Sequence, residues 1–366
     1  MAEALRTQLK LAADSASLGS VKTASAAARA VREQRDFPKI SIAGFDWSEF
    51  PGWAKEFLAI KDKMSGRFVP FELNPMQRRL FDASWKQWRE TGRVRMNVLK
   101  HRQPGFSTLI QGLCFYISWS VPGVEALVTA HRDDSADAVF RRTKMFEESL
   151  PLSMQRKADR NNKKEIQWSC PHFSAMRVMT ASEMGGGRGD TRHVYHSSEP
   201  AHYNVAGVMV KSNIEASVPD APGTLIWRET TANGLNHFYD DWINAEISGY
   251  RNFFVGFLED STCRLEGVAL TDERWSKMPK EWTEDEYRLR ELGADDAQIA
   301  WRRWAIASKC QGLTDLFRQE FPACDEDAYI STGSHVFPLS VVDPEFKRVS
   351  EVERVDPAKR YHVDCS

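Results

Sequence analysis

The chain reads as an α/β protein: a mainly parallel central sheet flanked by helices, followed by a smaller helical unit. Three observations carry that reading. Residues 71–235 alternate short β-prone runs with helix-prone stretches, the pattern of parallel strands joined by crossover helices. A glycine loop, Lys100-His101-Arg102-Gln103-Pro104-Gly105-Phe106-Ser107-Thr108, joins one such strand to an apolar helix. Two later strands end in polar runs, Ser198-Glu199 and Glu229 to Gly234. All three polar segments then fall at the carboxyl ends of strands, where ligands of open α/β sheets bind.

Taken in order, residues 1–36 are rich in Ala, Ser and charge, and 24–35 is strongly helix-prone. Few large apolar residues occur there, so this stretch is expected to be a peripheral helical arm. Residues 37–70 carry Phe45, Trp47, Phe50, Trp53 and Phe57, aromatics expected to pack over the edge of the core. Asn74-Pro75-Met76-Gln77 opens an amphipathic helix running to about residue 88. Strands follow at 94–99, 125–129, 174–179, 193–196 and 224–229, with helices at 109–118 and from 133 into 146. Beyond Asn236 come a helix to about 245, a short strand at 253–257, and charged helices at 284–292 and 296–309. From about Gly333, Val336-Phe337-Pro338 leads into a polar stretch.

Composition narrows the function classes. The chain has 366 residues, 42% hydrophobic and 27% charged, normal values for a water-exposed globular fold. No run of about 18 apolar residues exists, so no membrane span is expected. The N-terminus lacks an apolar core behind basic residues and does not read as a secretory signal. The six cysteines are scattered without a C-x-x-C pair, which argues against a zinc site and for a reducing compartment. Lys and Arg number 49 against 51 Asp and Glu, whereas a constitutive coat on nucleic acid is usually more basic. Local basic patches suffice to grip and release DNA. Arg141-Arg142-Thr143-Lys144 and Lys163-Lys164 are candidates, though both also read as solvated faces.

The loop is compared with the phosphate-binding pattern G-x-x-x-x-G-K-[ST]. Aligning on Gly105 and Ser107 puts Phe106 in the lysine slot and Lys100 in the first glycine slot. Amides at the helix start can hold phosphate oxygens, because they are unpaired and carry the positive end of the helix dipole. Ser107 or Thr108 offers a hydroxyl to Mg²⁺, and Lys100 or Arg102 supplies the missing positive charge. The same residues also read as an ordinary strand-to-helix turn. In phosphate-loop ATPases the strand beside the loop ends in an Asp for Mg²⁺ and often a Glu that activates water. Here those slots hold Ser198 and Glu199, which also fit a surface acid after a buried strand. The run Thr230-Thr231-Ala232-Asn233-Gly234 after another apolar strand can sense a γ-phosphate through hydrogen bonds. It can equally be a turn, with Asn236 capping the next helix. The Gln77 amide can both donate to and accept from an adenine edge.

In this order and spacing the motifs resemble the ATPase domain of the large terminase subunit of tailed phages, from about Phe71 to the C-terminus. The most specific segments are Arg102-Gln103-x-Gly105-Phe106-Ser107-Thr108, Ser198-Glu199, and Glu229-Thr230-Thr231-Ala232-Asn233-Gly234, where the family pattern is Glu-Ser-Thr-Ala-Asn-Gly. Gln319-Glu320-Phe321-Pro322, Asp327-Ala328-Tyr329 and Ser331-Thr332-Gly333 add to it. The resemblance implies a RecA/ASCE-like phosphate-loop ATPase core at 37–235, a lid subdomain at 236–332, and a linker leading to the first strand of an RNase H-like nuclease at 333–366.

It also implies roles. Gln77 reads adenine; Gln103, Pro104, Gly105, Phe106, Ser107 and Thr108 cradle phosphates; Lys100 or Arg102 balances β/γ-phosphate charge. Ser107, and more weakly Ser198, ligate Mg²⁺. Glu199 polarises the attacking water, and Thr230, Thr231, Ala232, Asn233 and Gly234 couple nucleotide state to movement. Arg188, in the glycine-rich run Glu183 to Gly189, is placed as a finger acting on the neighbouring subunit's nucleotide. Asp364 matches the first nuclease metal ligand. One Asp cannot hold two metals, so nuclease activity is not expected of this chain.

The cofactors implied are ATP and Mg²⁺. The partners implied are double-stranded DNA, the portal protein, the small terminase subunit, and further copies of the chain in a ring, a pentamer, on the procapsid. The location implied is the bacterial host cytoplasm and, transiently, the portal vertex, with no membrane. Two other readings stand beside this one. A helicase-like translocase shares the Gln motif and the sheet but would normally repeat a second RecA-like domain. A non-hydrolysing docking module would explain Phe106 and Ser198.

Overall fold

The computed structural model describes residues 41–63, 65–162, 164–169, 172–181, 191–266 and 282–329. The N-terminal arm, the glycine-rich run carrying Arg188, the Ser331-Thr332-Gly333 match, and the final segment with Asp364 all lie outside the described residues.

The leading aromatic segment forms α1 (Phe50–Phe57), followed by a small antiparallel pair, β1 (Ala59–Lys61) and β2 (Phe68–Pro70). α2 (Pro75–Thr91) has a strong local signal at each end. Asn74 and Gln77 form a reciprocal capping box, Pro75 occupies the first turn, and Gly92 closes the helix in the left-handed conformation.

The central sheet has eight strands. Its members, in chain order, are β3 (Val94–Lys100), β4 (Glu125–Ala130), β5 (Ala158–Asn161), β6 (Glu165–Trp168), β7 (Ala175–Thr180), β8 (Val194–Ser198), β9 (Leu225–Thr230) and β10 (Arg251–Val255). Their spatial order is β10-β3-β9-β8-β4-β7-β6-β5. The six strands from β10 to β7 are parallel, and β6 and β5 add an antiparallel edge. The sheet is therefore the mainly parallel, helix-flanked one that the alternating pattern predicts. The strand predicted at 253–257 lies two residues earlier, because the apolar run continues past its end into a 3-10 turn, Phe257–Glu259. The polar β5 and β6 edge carries little strand signature and was not anticipated.

Both faces of the sheet are covered, and the strands show it by period-2 alternation. Val98, Ala126, Val128, Val194, Leu225 and Trp227 point into the larger core, shared with α1, α2, α3 (Phe106–Ser120) and α4 (Asp133–Ser149). Their neighbours Leu127, Tyr195 and Ile226 point the other way, against Val210 and Ile214 of α5 (Val205–Ala216). Leu99 packs on that second side with Phe238 and Trp242 of α6 (His237–Ile243). Full burial of each such side chain contributes about 1.5–3 kcal/mol.

After β10 a separate apolar cluster forms around Phe257, Trp301, Phe317 and Phe321. It is built from α7 (Glu284–Glu291), α8 (Asp296–Lys309) and α9 (Thr314–Glu320), with the short α10 (Asp325–Ala328) following. Glu286 helps cap α7 and also pairs with Arg303 of α8 at 2.6 Å. Among the described residues, no helix is long and apolar enough to cross a membrane.

Candidate active site

β3 delivers Lys100 as its last residue, and the chain then turns through 101–105 into α3. Gly105 sits at φ +86°, where an L side chain is strained. A Cβ there would also lie 2.8 Å from Gln77 Nε2, so any larger residue must displace that side chain. Gln103 adopts a left-handed conformation too, at φ 64°. The first turn of α3 faces the loop with amides that helix geometry leaves unpaired.

The loop is braced from α2. Asn74 Nδ2 donates to the Pro104 carbonyl at 3.0 Å, and Gln77 Nε2 donates to the Gly105 carbonyl at 2.8 Å. Gln77 Oε1 accepts from the Asn74 amide at 2.9 Å. Both ends of the Gln77 amide are thus engaged, and the residue is buried outside the cavity wall. The Gln77 side chain thus holds the loop in shape.

Phe106, in the slot of the usual lysine, turns its ring into the core, 6.0 Å from that of Phe253. The positive charge comes from the strand instead. Lys100 is buried, with Nζ 2.8 Å from Glu199 Oε1 and 3.1 Å from Glu229 Oε1. Burial alone would lower its pKa, but the two carboxylates outweigh that and raise it. Arg102 is exposed and bound elsewhere: its Nε lies 2.7 Å from Glu320 Oε2, and its amide donates to the Glu320 carbonyl at 2.9 Å. The Gln319-Glu320-Phe321-Pro322 segment therefore clasps the loop.

Glu199 follows β8 in the left-handed conformation, φ 57°, ψ 46°. Such backbone strain in a non-glycine residue persists only where its surroundings over-determine it. Here the Glu199 amide donates to the Glu229 carbonyl at 2.7 Å, and its Oε2 accepts from the Thr231 amide at 3.0 Å and Thr230 Oγ1 at 3.2 Å. Thr230 and Thr231, two of the residues expected to couple nucleotide state to movement, thus bind the candidate catalytic carboxylate directly. Asn233 Nδ2 donates to the Ala201 carbonyl at 3.1 Å, and Asn236 caps α6 as expected. β8 is not beside the loop strand: β9 separates them, contrary to the sequence reading.

That intervening strand brings in a group the sequence analysis passed over. Glu229 is fully buried, and its two oxygens accept from Ser107 Oγ at 3.0 Å each. His196 Nε2 lies 3.3 Å away on its far side. Burial would raise the Glu229 pKa, but Lys100 and His196 hold it well below the ordinary carboxylate range. Glu229 is the acid that faces the loop serine. Its place at the start of the coupling run was the only signal in the sequence.

Lys100, the loop, Glu199 and Thr231 line one cavity of about 600 Å³, together with His131, Arg132, Arg142, His202 and Glu320. Arg142 is a second residue that sequence reasoning placed elsewhere. α4 turns it inward from the supposed solvated face, and its Nη1 donates to Gln111 Oε1 at 2.6 Å. Burial lowers its pKa. His202 approaches Thr231 Oγ1 at 3.1 Å, and burial likewise lowers its pKa. The cavity can therefore meet a polyanion with Lys100, Arg142 and helix-start amides, beside a carboxylate held for chemistry.

No protein-family model matches the chain, and no curated protein matches it. Among solved structures, the bacteriophage HK97 large terminase is 14% identical, with a TM-score of 0.46 over 71% of this chain. The chain spans about half of that protein's length, 52%. A mutant ATPase domain of a Thermus phage large terminase is 16% identical, with a TM-score of 0.43 over 68% of this chain and 93% of that one. The large terminase of a thermophilic bacteriophage, in complex with ADP, is 10% identical, with a TM-score of 0.38 over 57% of this chain and 50% of that one. All three of these similar structures are phage large terminases or parts of them.

Proposed function

We propose that this cavity binds ATP and hydrolyses it, and that the chain is the motor domain of a viral terminase large subunit driving double-stranded DNA into a procapsid. The observation that carries the reading is the pairing of Lys100 with Glu199 at the mouth of a glycine loop. Phosphate oxygens would compete for Lys100, and the Glu199 carboxylate would then be free to orient water and take its proton. Backbone amides from Gln103 to Ser107 would hold the phosphates, and Arg142 would add charge from α4. Ser107 and Glu229 are hard oxygen donors and fit Mg²⁺, with Ser198, the register partner of Glu229 on β8, a weaker hydroxyl. When bound, Mg²⁺ would neutralise charge on the phosphate oxygens.

A docking module without turnover would draw its support from Phe106 and Ser198. Lys100 and Glu229 supply the charge those positions lack, which favours the enzyme. Arg188 remains the proposed finger in trans, and the portal protein, the small terminase subunit and a homo-oligomeric ring remain proposed partners. The 236–332 lid and the 333–366 nuclease remnant, with Asp364, are likewise proposals.

The test is Mg²⁺-dependent ATP hydrolysis across a range of protein concentration. Specific activity that rises with concentration and disappears in Glu199→Gln supports a motor completed by its neighbour. Specific activity independent of concentration would count against Arg188 acting in trans. Mixed Arg188→Ala and Glu199→Gln subunits should partly restore each other's activity.

A further inference from the structure

Behind the phosphate loop lies a buried group of donors that the nucleotide reading does not use. His101, Asp260 and Cys263 each offer one ligand atom, and these atoms lie within 4.8 Å of one another. His101 directly follows β3, and its amide donates to the Val255 carbonyl at 3.1 Å. Asp260 and Cys263 belong to the turn after Phe257–Glu259, closed by the Cys263 amide donating to the Asp260 carbonyl at 2.9 Å. The three residues are 0%, 4% and 3% exposed.

Two details set the group apart from ordinary packing. Neither ring nitrogen of His101 meets a hydrogen-bond partner, although the ring is fully buried. Asp260 Oδ2 stands 3.6 Å from Nε2, too far for a hydrogen bond. A buried imidazole left in this state is costly, and such exceptions call for an explanation. Meanwhile Asp260 Oδ1 is occupied by the Thr262 amide and hydroxyl at 2.8 Å each, so Oδ2 is the oxygen turned to the histidine.

The chemistry of the donors is one nitrogen, one oxygen and one sulfur. A neutral imidazole nitrogen has a lone pair to give to a metal. Mg²⁺ and Ca²⁺ take oxygen donors and do not suit this set. Zn²⁺ takes Cys sulfur, His nitrogen and carboxylate oxygen together.

We propose that His101, Asp260 and Cys263 form a zinc-class cation site that fastens the first residue of the phosphate loop to the turn beginning the α7–α9 unit. Binding replaces the Cys263 S–H bond with a sulfur–metal bond, and the thiol proton leaves to solvent. Among the described residues no further His, Cys, Asp or Glu joins the group. The fourth tetrahedral position is therefore left for a water or a backbone oxygen. The scattered cysteines concealed this site, because it pairs one thiol with an Asp three residues earlier and a His from a distant loop.

The test is a Co²⁺ titration of chelator-treated protein, read by absorption, with Zn²⁺ as competitor. The proposal expects one Co²⁺ per chain, a thiolate-to-cobalt charge-transfer band, release of about one proton per ion, and displacement by one equivalent of Zn²⁺. Cys263→Ala should abolish the band, whereas Cys310→Ala, altering another buried thiol of the same apolar cluster, should keep it. Asp260→Asn should keep the band and weaken binding at least about tenfold, the loss seen even when a group merely supporting a ligand is removed. Absence of stoichiometric binding by the folded wild-type chain, or a band that survives in Cys263→Ala, would overturn the proposal. Should Cys263→Ala not fold, the wild-type stoichiometry and the Cys310→Ala and Asp260→Asn spectra still decide it. None of these readouts depends on ATP turnover, so they stand apart from the nucleotide reading.

Discussion

Lys100 and Arg102 both line the cavity, but their surroundings separate them. Lys100 is the ion-pair partner of a fully buried carboxylate, Glu229, and removing it leaves that charge with only Ser107 and His196. Breaking a buried pair from one side costs about 3–5 kcal/mol, so Lys100→Ala should lower the urea midpoint markedly and abolish nucleotide binding. Arg102 is 62% exposed in its pair with Glu320, and an exposed pair is worth only about 0–1 kcal/mol. Arg102→Ala should therefore melt like wild type, and its nucleotide affinity, measured by titration, reports the loop charge alone. Arg142→Ala should raise the KM for ATP more than it lowers kcat, since Arg142 reaches the cavity from α4 rather than from the Glu199 side. A fall in kcat with KM unchanged would count against that role.

Individual elements differ in how far their residues disclosed them. The helix at Asp296–Lys309 was legible to the residue, because Asp295 and Gln298 form a capping box at its start. The five strands 94–99 to 224–229 were legible within about two residues, because each is an apolar run with turn signals around it. The β5 strand, Ala158-Asp159-Arg160-Asn161, was not, because its polar residues pair only at the sheet edge. Glu229 and Arg142 were illegible as site residues for a different reason. Their roles depend on which strand lies next to β3 and on which face α4 turns inward, and neither is local information. The loop itself yields a clean test at this scale. Gly105→Ala should cost about 1–2 kcal/mol from the left-handed backbone. It should also push Gln77 off the Gly105 carbonyl, so that nucleotide affinity falls further than stability. A melt and a nucleotide titration on the same variant check both.

At the scale of the whole molecule, two apolar clusters meet at the loop: the sheet core, and the α7–α9 unit that holds Glu320 against Arg102. The second cluster is tied by charge as well as by packing. Glu286 pairs with Arg302 and Arg303, and Asp285 with Arg302 and Arg318. Burial would raise both acids, but the arginines outweigh it and lower their pKa values. An acid held below its unfolded value adds stability that is complete above about pH 5 and is lost as pH falls through its folded value. Wild-type melting temperature should thus fall steeply between about pH 4.5 and pH 3. Glu286→Gln should melt lower at pH 7 and lose less over the same interval. Parallel curves for the two proteins would show that the pair does not hold the unit.

The central claim, that Glu199 performs hydrolysis on a nucleotide held by the Lys100–Thr108 loop, is met most directly by measuring ATP binding and ATP hydrolysis side by side in wild type and Glu199→Gln. The expected result is binding by both proteins and Mg²⁺-dependent turnover by wild type alone. Turnover in Glu199→Gln at the wild-type rate, or no ATP binding by either folded protein, would contradict the account.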